Sequence, residues 1–202
     1  MEIGIFGGTF DPVHKGHVAA AYAAYRQFKL NEVWFMPAFV PPHKSTKIIT
    51  GVNFRFEMLK IALCNIPYFK CSDFELKRQG KSYTCETVLE LKKNYKNDIF
   101  SLIIGTDSLF EIETWKNPDI IMKNSRLLVA ARDYVHSHAD MCRQAEVLEA
   151  KYGADISLIK CRPFEISSTF IRQLIKGGND PEEYLDAGVL AYIKAHNLYQ
   201  DR

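Results

Sequence analysis

The sequence predicts an α/β domain built on a doubly wound parallel sheet, and three observations lead there. Strand-like and helix-like segments alternate along the chain, as βαβ crossovers require. Most of the strand-like segments are apolar throughout, which suits strands covered on both faces. The first of them runs into two glycines, an Asp-Pro turn signal and an alanine-rich helical stretch. A strand, a tight turn and a helix N-terminus in that order present free N–H groups and a positive dipole end to an anion.

The elements follow in order. Residues 2–6 read as a buried strand. Residues 18–28 read as a helix, with Ala19, Ala20, Ala21, Ala23 and Ala24 giving high propensity and a small-residue packing face. Residues 32–36 form a second strand, closed by Pro37. The loop over 38–51 contains Pro41-Pro42-His43-Lys44, and its prolines hold Lys44 on a stiff, extended backbone. Residues 54–66 read as a helix, 68–76 as a third strand and 77–81 as a polar turn. Ser82 or Thr84 then caps a helix that runs to about Tyr95. A buried strand over 99–104 ends at Gly105-Thr106-Asp107, and Trp115 and Pro118 lie in an irregular or short-helical stretch. Residues 126–131 form a strand, 140–152 a helix stopped by Gly153, and 156–159 the last strand. Ser167-Ser168-Thr169 opens a helix through Lys176, and residues 181–196 supply C-terminal helices. No repeat, low-complexity segment or linker interrupts the series, so residues 1–202 read as one domain whose helical C-terminal part starts near 166.

With 202 residues the chain can bury a full core without staples. Its 26 basic and 24 acidic residues leave a net charge of +2, too balanced for nucleic-acid or membrane binding by bulk charge. The five cysteines include no C-x-x-C pair and read as reduced thiols. Met1-Glu2 runs straight into the first strand and no apolar run reaches membrane-spanning length, so a cytoplasmic protein is expected. A homo-oligomer is compatible with all of this.

Ligands of doubly wound sheets bind beyond the carboxyl ends of the strands, where the strand order reverses. Gly7-Gly8, Gly105-x-Asp107 and Ser167-Ser168 all follow such ends and are expected to converge on one cleft. The opening turn is neither G-x-G-x-x-G nor a Walker A loop. His14 and His17 lie three residues apart at a helix start, so both rings face one side. They suit hydrogen bonding to phosphate oxygens and stabilisation of developing charge; an ordinary helix start with partly exposed histidines is the plain alternative. Arg172, one turn after Ser168, shares a face with that serine cap and suits a polyphosphate, against the plain reading of a solvated arginine. His136, His138, Asp140 and Cys142 are spaced like no common zinc site and read as a loop entering a helix.

Gly7-Gly8-Thr9-Phe10-Asp11-Pro12-x-His14-x-Gly16-His17, taken with Ile166-Ser167-Ser168-Thr169-x-Ile171-Arg172, resembles the H-x-G-H and I-S-S-T-x-x-R motifs of the nucleotidylyltransferase superfamily. Further segments resemble the bacterial nicotinate-nucleotide adenylyltransferases in particular: Trp34-Phe35-Met36-Pro37, Pro41-Pro42-His43-Lys44, Ser82-Tyr83-Thr84, Ile103-Ile104-Gly105-x-Asp107 and Trp115. The resemblance spans the chain, with the motifs in the family's order.

It implies a Rossmann-like nucleotidylyltransferase fold. It implies direct attack of the nicotinate mononucleotide 5′-phosphate on the α-phosphorus of ATP, with Mg²⁺ and with no covalent enzyme intermediate. Positioning and charge stabilisation then suffice. His14, His17, Lys44 and Arg172 would be catalytic. Gly7, Gly8, Thr9, Phe10, Gly105, Asp107, Ser167 and Ser168 would bind ATP, with Asp107 suited to ribose hydroxyls or the metal's surroundings. No dedicated metal site of protein ligands is expected. Lys44, Thr84, Trp115 and Arg132 would bind nicotinate mononucleotide, with Trp115 either stacking on the pyridinium ring or serving as plain core. The family's usual Arg-Pro-Gly is Arg132-Asp133-Tyr134 here, which puts the shape of that loop in question. Competing readings are a phosphopantetheine, nicotinamide mononucleotide or cytidylyl enzyme of the superfamily, and a non-catalytic nucleotide sensor.

Overall fold

In the computed structural model, which describes residues 1–42, 49–131, 136–161 and 166–200, β1 (Glu2–Gly8) lies inside a six-stranded sheet of order β3-β2-β1-β4-β5-β6. The other strands are β2 (Glu32–Pro37), β3 (Phe69–Cys71), β4 (Ile99–Gly105), β5 (Arg126–Ala130) and β6 (Asp155–Ile159). Every neighbouring pair is parallel. The order reverses between β1 and β4, where crossovers leave in opposite directions and open a crevice.

The apolar strands feed two cores. Successive side chains of a strand point to opposite faces, so Leu102 and Ile104 join one cluster while Ile103 joins the other. Leu127 and Val129 separate from Leu128 and Ala130 in the same way. On one face pack α1 (Lys15–Gln27), α2 (Val52–Leu63), α8 (Ser168–Lys176) and α9 (Ala187–Ala195). On the other pack α4 (Thr84–Asn94), α5 (Thr106–Glu111), α6 (Pro118–Asn124) and α7 (His138–Tyr152). Two-sided burial explains why these strands lack alternation.

Three local expectations are corrected. The third strand stops at Cys71, and residues 74–78 form α3 (Phe74–Arg78) instead. Ser72 N–H still bonds across to Phe35 at 2.8 Å. Ser72 Oγ then accepts from Phe74 N–H at 3.3 Å, and the Asp73 carbonyl accepts from Lys77 N–H at 2.9 Å. Such local bonds offer the backbone a helical turn in place of the ladder. Neither Ser82 nor Thr84 caps α4: Tyr83 holds that position, and Ser82 Oγ accepts from Phe39 N–H at 2.9 Å. α1 begins at Lys15, three residues earlier than the alanine run alone suggests, which makes His14 its N-cap.

The His136–Cys142 segment is a helix start. Ser137 Oγ accepts from Asp140 N–H at 3.1 Å and the Asp140 carboxylate accepts from Ser137 N–H at 3.0 Å, a reciprocal capping box.

Candidate active site

The carboxyl ends of β1 and β4 open into a cleft of about 450 Å³, a volume within the usual range for small-ligand sites. Gly7, Gly8, Thr9, Phe10, His14 and His17 line it from the β1–α1 turn. Gly105 and Asp107 line it from the start of α5, Thr84 and Trp115 from the α4 side, and Ser168 and Arg172 from α8. The expected convergence on one cleft is therefore observed. Ser167 is not among the residues that line the cleft; it caps α8, its Oγ accepting from Phe170 N–H at 3.1 Å. Lys44 and Arg132 lie outside the described residues.

The turn is shaped tightly. Phe10 is buried and adopts a φ of 48°, a left-handed conformation unusual outside glycine. Its ring lies over Gly8, where a Cβ would come within 2.9 Å of it, so only glycine fits. At Gly7 a Cβ would meet nothing within 4 Å. That glycine keeps the cleft floor open to a ligand and answers no conformational need.

His14 and His17 stack face to face with ring centroids 3.7 Å apart. His17 Nδ1 accepts from the backbone N–H of His14 at 3.2 Å. Edges of Phe6 and Phe10 pack on His17 at 5.9 and 5.0 Å between centroids. The imidazole pair is thus held by aromatic walls and a backbone bond, as preorganised charge stabilisation requires.

Long-range donors hold the turn's carbonyls. Arg172 Nη1 donates to the Asp11 carbonyl at 2.6 Å, and its Nη2 to Thr169 Oγ1 at 3.2 Å. Ser168 Oγ donates to the Pro12 carbonyl at 2.8 Å. α8 is in this way fastened to the turn that it faces.

Sequence reasoning missed Arg55. Its side chain is 1% exposed, and its guanidinium donates to four carbonyls: Thr9 at 2.7 Å, Ala38 at 2.8 Å, Phe39 at 3.3 Å and Thr50 at 2.9 Å. Burial presses its pKa down, while the charge of nearby Asp11 opposes that. The arginine clamps the loops after β1 and β2 to α2. A signal existed: Arg55 falls three and four residues before the buried Met58 and Leu59, on the apolar stripe of its helix.

Glu75 was also missed. It lines the cleft but is buried, and its carboxylate accepts from Thr87 Oγ1 at 2.7 Å. Burial raises its pKa against bonds from Thr87 and Ser82 and the charge of Arg78. It ties α3 to the first turns of α4, beside Thr84. Trp115 is half-buried, packing on the second core with one part while lining the cleft with another. Burial pushes the Cys71 thiol up to about 12 and raises Cys85 and Cys161, which makes these three poor nucleophiles.

Residues 5–174 match the cytidylyltransferase-like family. Over 98% of both chains, the protein is 37% identical to a probable nicotinate-nucleotide adenylyltransferase of Lachnoclostridium phytofermentans. It is 40% identical, over 98% of each chain, to a probable enzyme of the same name from Clostridium botulinum strain Alaska E43. The chain belongs to the nicotinate-nucleotide adenylyltransferase family.

Its fold agrees with that of a solved nicotinic acid mononucleotide adenylyltransferase from Plasmodium falciparum, bound to APC, with a TM-score of 0.80 at 19% identity over 100% of this chain and 98% of that one. The adenylyltransferase fold thus carries a Rossmann-like sheet, as expected. Among the described residues no three His, Cys, Asp or Glu side chains converge to hold a metal ion. A magnesium ion that travels on nucleotide phosphates needs only one or two carboxylates, and Asp107, exposed on the first turn of α5 at the cleft, fits that need. No helix among the described residues is long and apolar enough to cross a membrane.

Proposed function

We propose that this adenylyltransferase transfers the adenylyl group of ATP to nicotinate mononucleotide in NAD biosynthesis. The products are nicotinate adenine dinucleotide and pyrophosphate. The observation that carries this reading is the meeting, in one cleft, of the His14/His17 turn, the α8 start with Arg172, and the Thr84–Trp115 wall. The first two recognise a polyphosphate, and the third offers an aromatic face and a helix N-terminus to a pyridinium carboxylate.

A 5′-phosphate oxygen of the mononucleotide forms a bond to the α-phosphorus of ATP. The bond from that phosphorus to the β-phosphate bridging oxygen breaks, and pyrophosphate leaves with its electron pair. No protein atom is alkylated, acylated or phosphorylated, so the chain's task is placement and charge. The backbone N–H of His14 occupies Nδ1 of His17. Neutral His17 therefore carries its proton on Nε2 and donates from there to a non-bridging oxygen. His14 braces it by stacking. Ser167, Ser168 and Arg172 take the leaving phosphates at the α8 N-terminus, and Lys44 reaches them from the proline-bounded loop. Gly7 to Phe10 and Gly105 pack against the nucleotide, and Asp107 faces its ribose or metal. Thr84 and Trp115 take the nicotinate ring, and Arg132 the mononucleotide phosphate. Asp107 would help hold a magnesium ion bound with ATP, which would supply neutralisation of phosphate charge. Both substrates are small, and the enzyme works in the cytoplasm.

Pyrophosphate release is measured with ATP and Mg²⁺ against nicotinate mononucleotide, nicotinamide mononucleotide and phosphopantetheine in parallel. Turnover greatest with nicotinate mononucleotide is expected. Turnover with phosphopantetheine alone, or ATP binding with no turnover on any acceptor, overturns the reading.

A further inference from the structure

Asp11 sits between the Phe10 turn and the histidines, only 4% exposed. Its Oδ2 accepts from Thr50 N–H at 3.2 Å. Its Oδ1 accepts from the phenol of Tyr199 at 2.7 Å, across 188 residues of sequence. Tyr199 is itself only 3% exposed and packs in the core shared by α1, α2, α8 and α9. Neither residue belongs to the phosphate-facing set described above.

The backbone at both ends of this contact is bent against its preference. Phe10, next to Asp11, has a φ of 48° and Tyr199 one of 70°. Non-glycine residues hold such angles only where their surroundings over-determine them, and such residues cluster at functional sites. The chain after α9 curls so that the Tyr199 phenol reaches the Asp11 carboxylate. A tyrosine needed only as core filler would not require its hydroxyl delivered to a buried acid.

We propose that Tyr199 is a positioning residue for the adenylyl transfer, acting through Asp11 to fix the turn that carries His14 and His17. Asp11 is the joint: its side chain is gripped by Tyr199 and Thr50 while its carbonyl is gripped by Arg172. Loss of the phenolic bond frees one carboxylate oxygen and lets the turn shift relative to α8. In-line transfer is sensitive to such shifts, since an error of about 1 Å in placement costs on the order of 100-fold in rate.

The inference rests on reading His14 and His17 as the phosphate-facing pair, so its test has a readout independent of turnover. Hydrogen exchange is followed in the wild type, Tyr199→Phe, Asp11→Asn and the double variant, together with kcat and KM for nicotinate mononucleotide. Tyr199→Phe is expected to speed exchange in residues 9–17 and leave α4 to α7 unchanged. Its kcat is expected to fall about tenfold with KM little changed. On the Asp11→Asn background the same change is expected to add almost nothing, because both act on one contact. Unchanged exchange in residues 9–17, or exchange raised evenly over the molecule, overturns the proposal. Losses that multiply in the double variant overturn it too. A wild type inactive with nicotinate mononucleotide would defeat the acceptor assignment, and the exchange measurement would still decide the role of Tyr199.

Discussion

The backbone N–H of His14 donates to Nδ1 of His17 at 3.2 Å while the two rings stack at 3.7 Å. A backbone amide can only donate, so it settles which nitrogen of His17 accepts and leaves Nε2 to carry the proton. The first residue of the H-x-G-H motif thereby sets the chemistry of the last. On the proposed mechanism His17→Ala is expected to lower kcat on the order of 100- to 1,000-fold. The melting temperature should stay close to the wild type, since His17 is only half-buried. Near-normal pyrophosphate release by this variant would remove His17 from the mechanism.

Gly7→Ala adds a methyl group that meets no protein atom within 4 Å. Folding stability should change by no more than about 0.5 kcal/mol. If ATP passes over Gly7 as proposed, KM for ATP should rise at least severalfold while KM for the mononucleotide moves less. A variant that keeps wild-type KM for ATP would show that the nucleotide does not pass over Gly7.

Trp115→Ala is expected to raise KM for nicotinate mononucleotide more than KM for ATP. Stacking on a pyridinium ring contributes about 0.5–2 kcal/mol, hence roughly 2- to 30-fold. Equal changes in the two constants would assign the tryptophan wholly to the core.

Arg55→Lys keeps the charge but loses the planar fork that reaches four carbonyls. Carbonyls left without donors cost about 1–3 kcal/mol in total. For a domain of this size that corresponds to a melting temperature lower by roughly 2–12 °C. Calorimetry giving an unchanged transition would mean that water replaces the guanidinium without cost.

Burial first, and the Asp11 charge second, raise the Tyr199 pKa above the ordinary tyrosine value. Below about pH 10 the phenol is protonated in the folded and unfolded chain alike, and its contribution is fully present. Above that pH the unfolded chain releases the proton and the folded chain keeps it. Stability therefore falls as pH rises, by up to about 1.4 kcal/mol per pH unit from this group. Urea unfolding between about pH 9 and 11 should show a shallower decline for Tyr199→Phe than for the wild type. Parallel declines would show that Tyr199 ionises in the folded chain as it does in the unfolded one.

The layout of the sheet was legible because two-sided burial removes polar residues from strands, leaving runs such as Leu102-Ile103-Ile104 and Leu127-Leu128-Val129 unbroken. The segments lining the cleft were legible because glycines, histidines and capping serines stand where strands end. α3 was not, because Phe74 and Leu76 keep an alternating look that the local bonds of Ser72 and Asp73 override. The Asp11–Tyr199 contact and the Arg55 clamp were hidden for another reason. They join residues far apart in sequence, and neither a phenol nor a guanidinium announces its partner through periodicity. Arg55 on its apolar stripe was the one visible hint.

The 188 residues between Asp11 and Tyr199 also set an order in time. A ribosome adding about 5–20 residues per second takes roughly 10–40 s to travel that distance. The turn that carries His14 and His17 is made well before its partners Arg172 and Tyr199. Between the two events the apolar strands are made but their turn is not yet fastened. A growing chain thus acquires its sheet progressively and the fastening of the His14–His17 turn late, when the segment beyond α9 folds back onto residues made long before it.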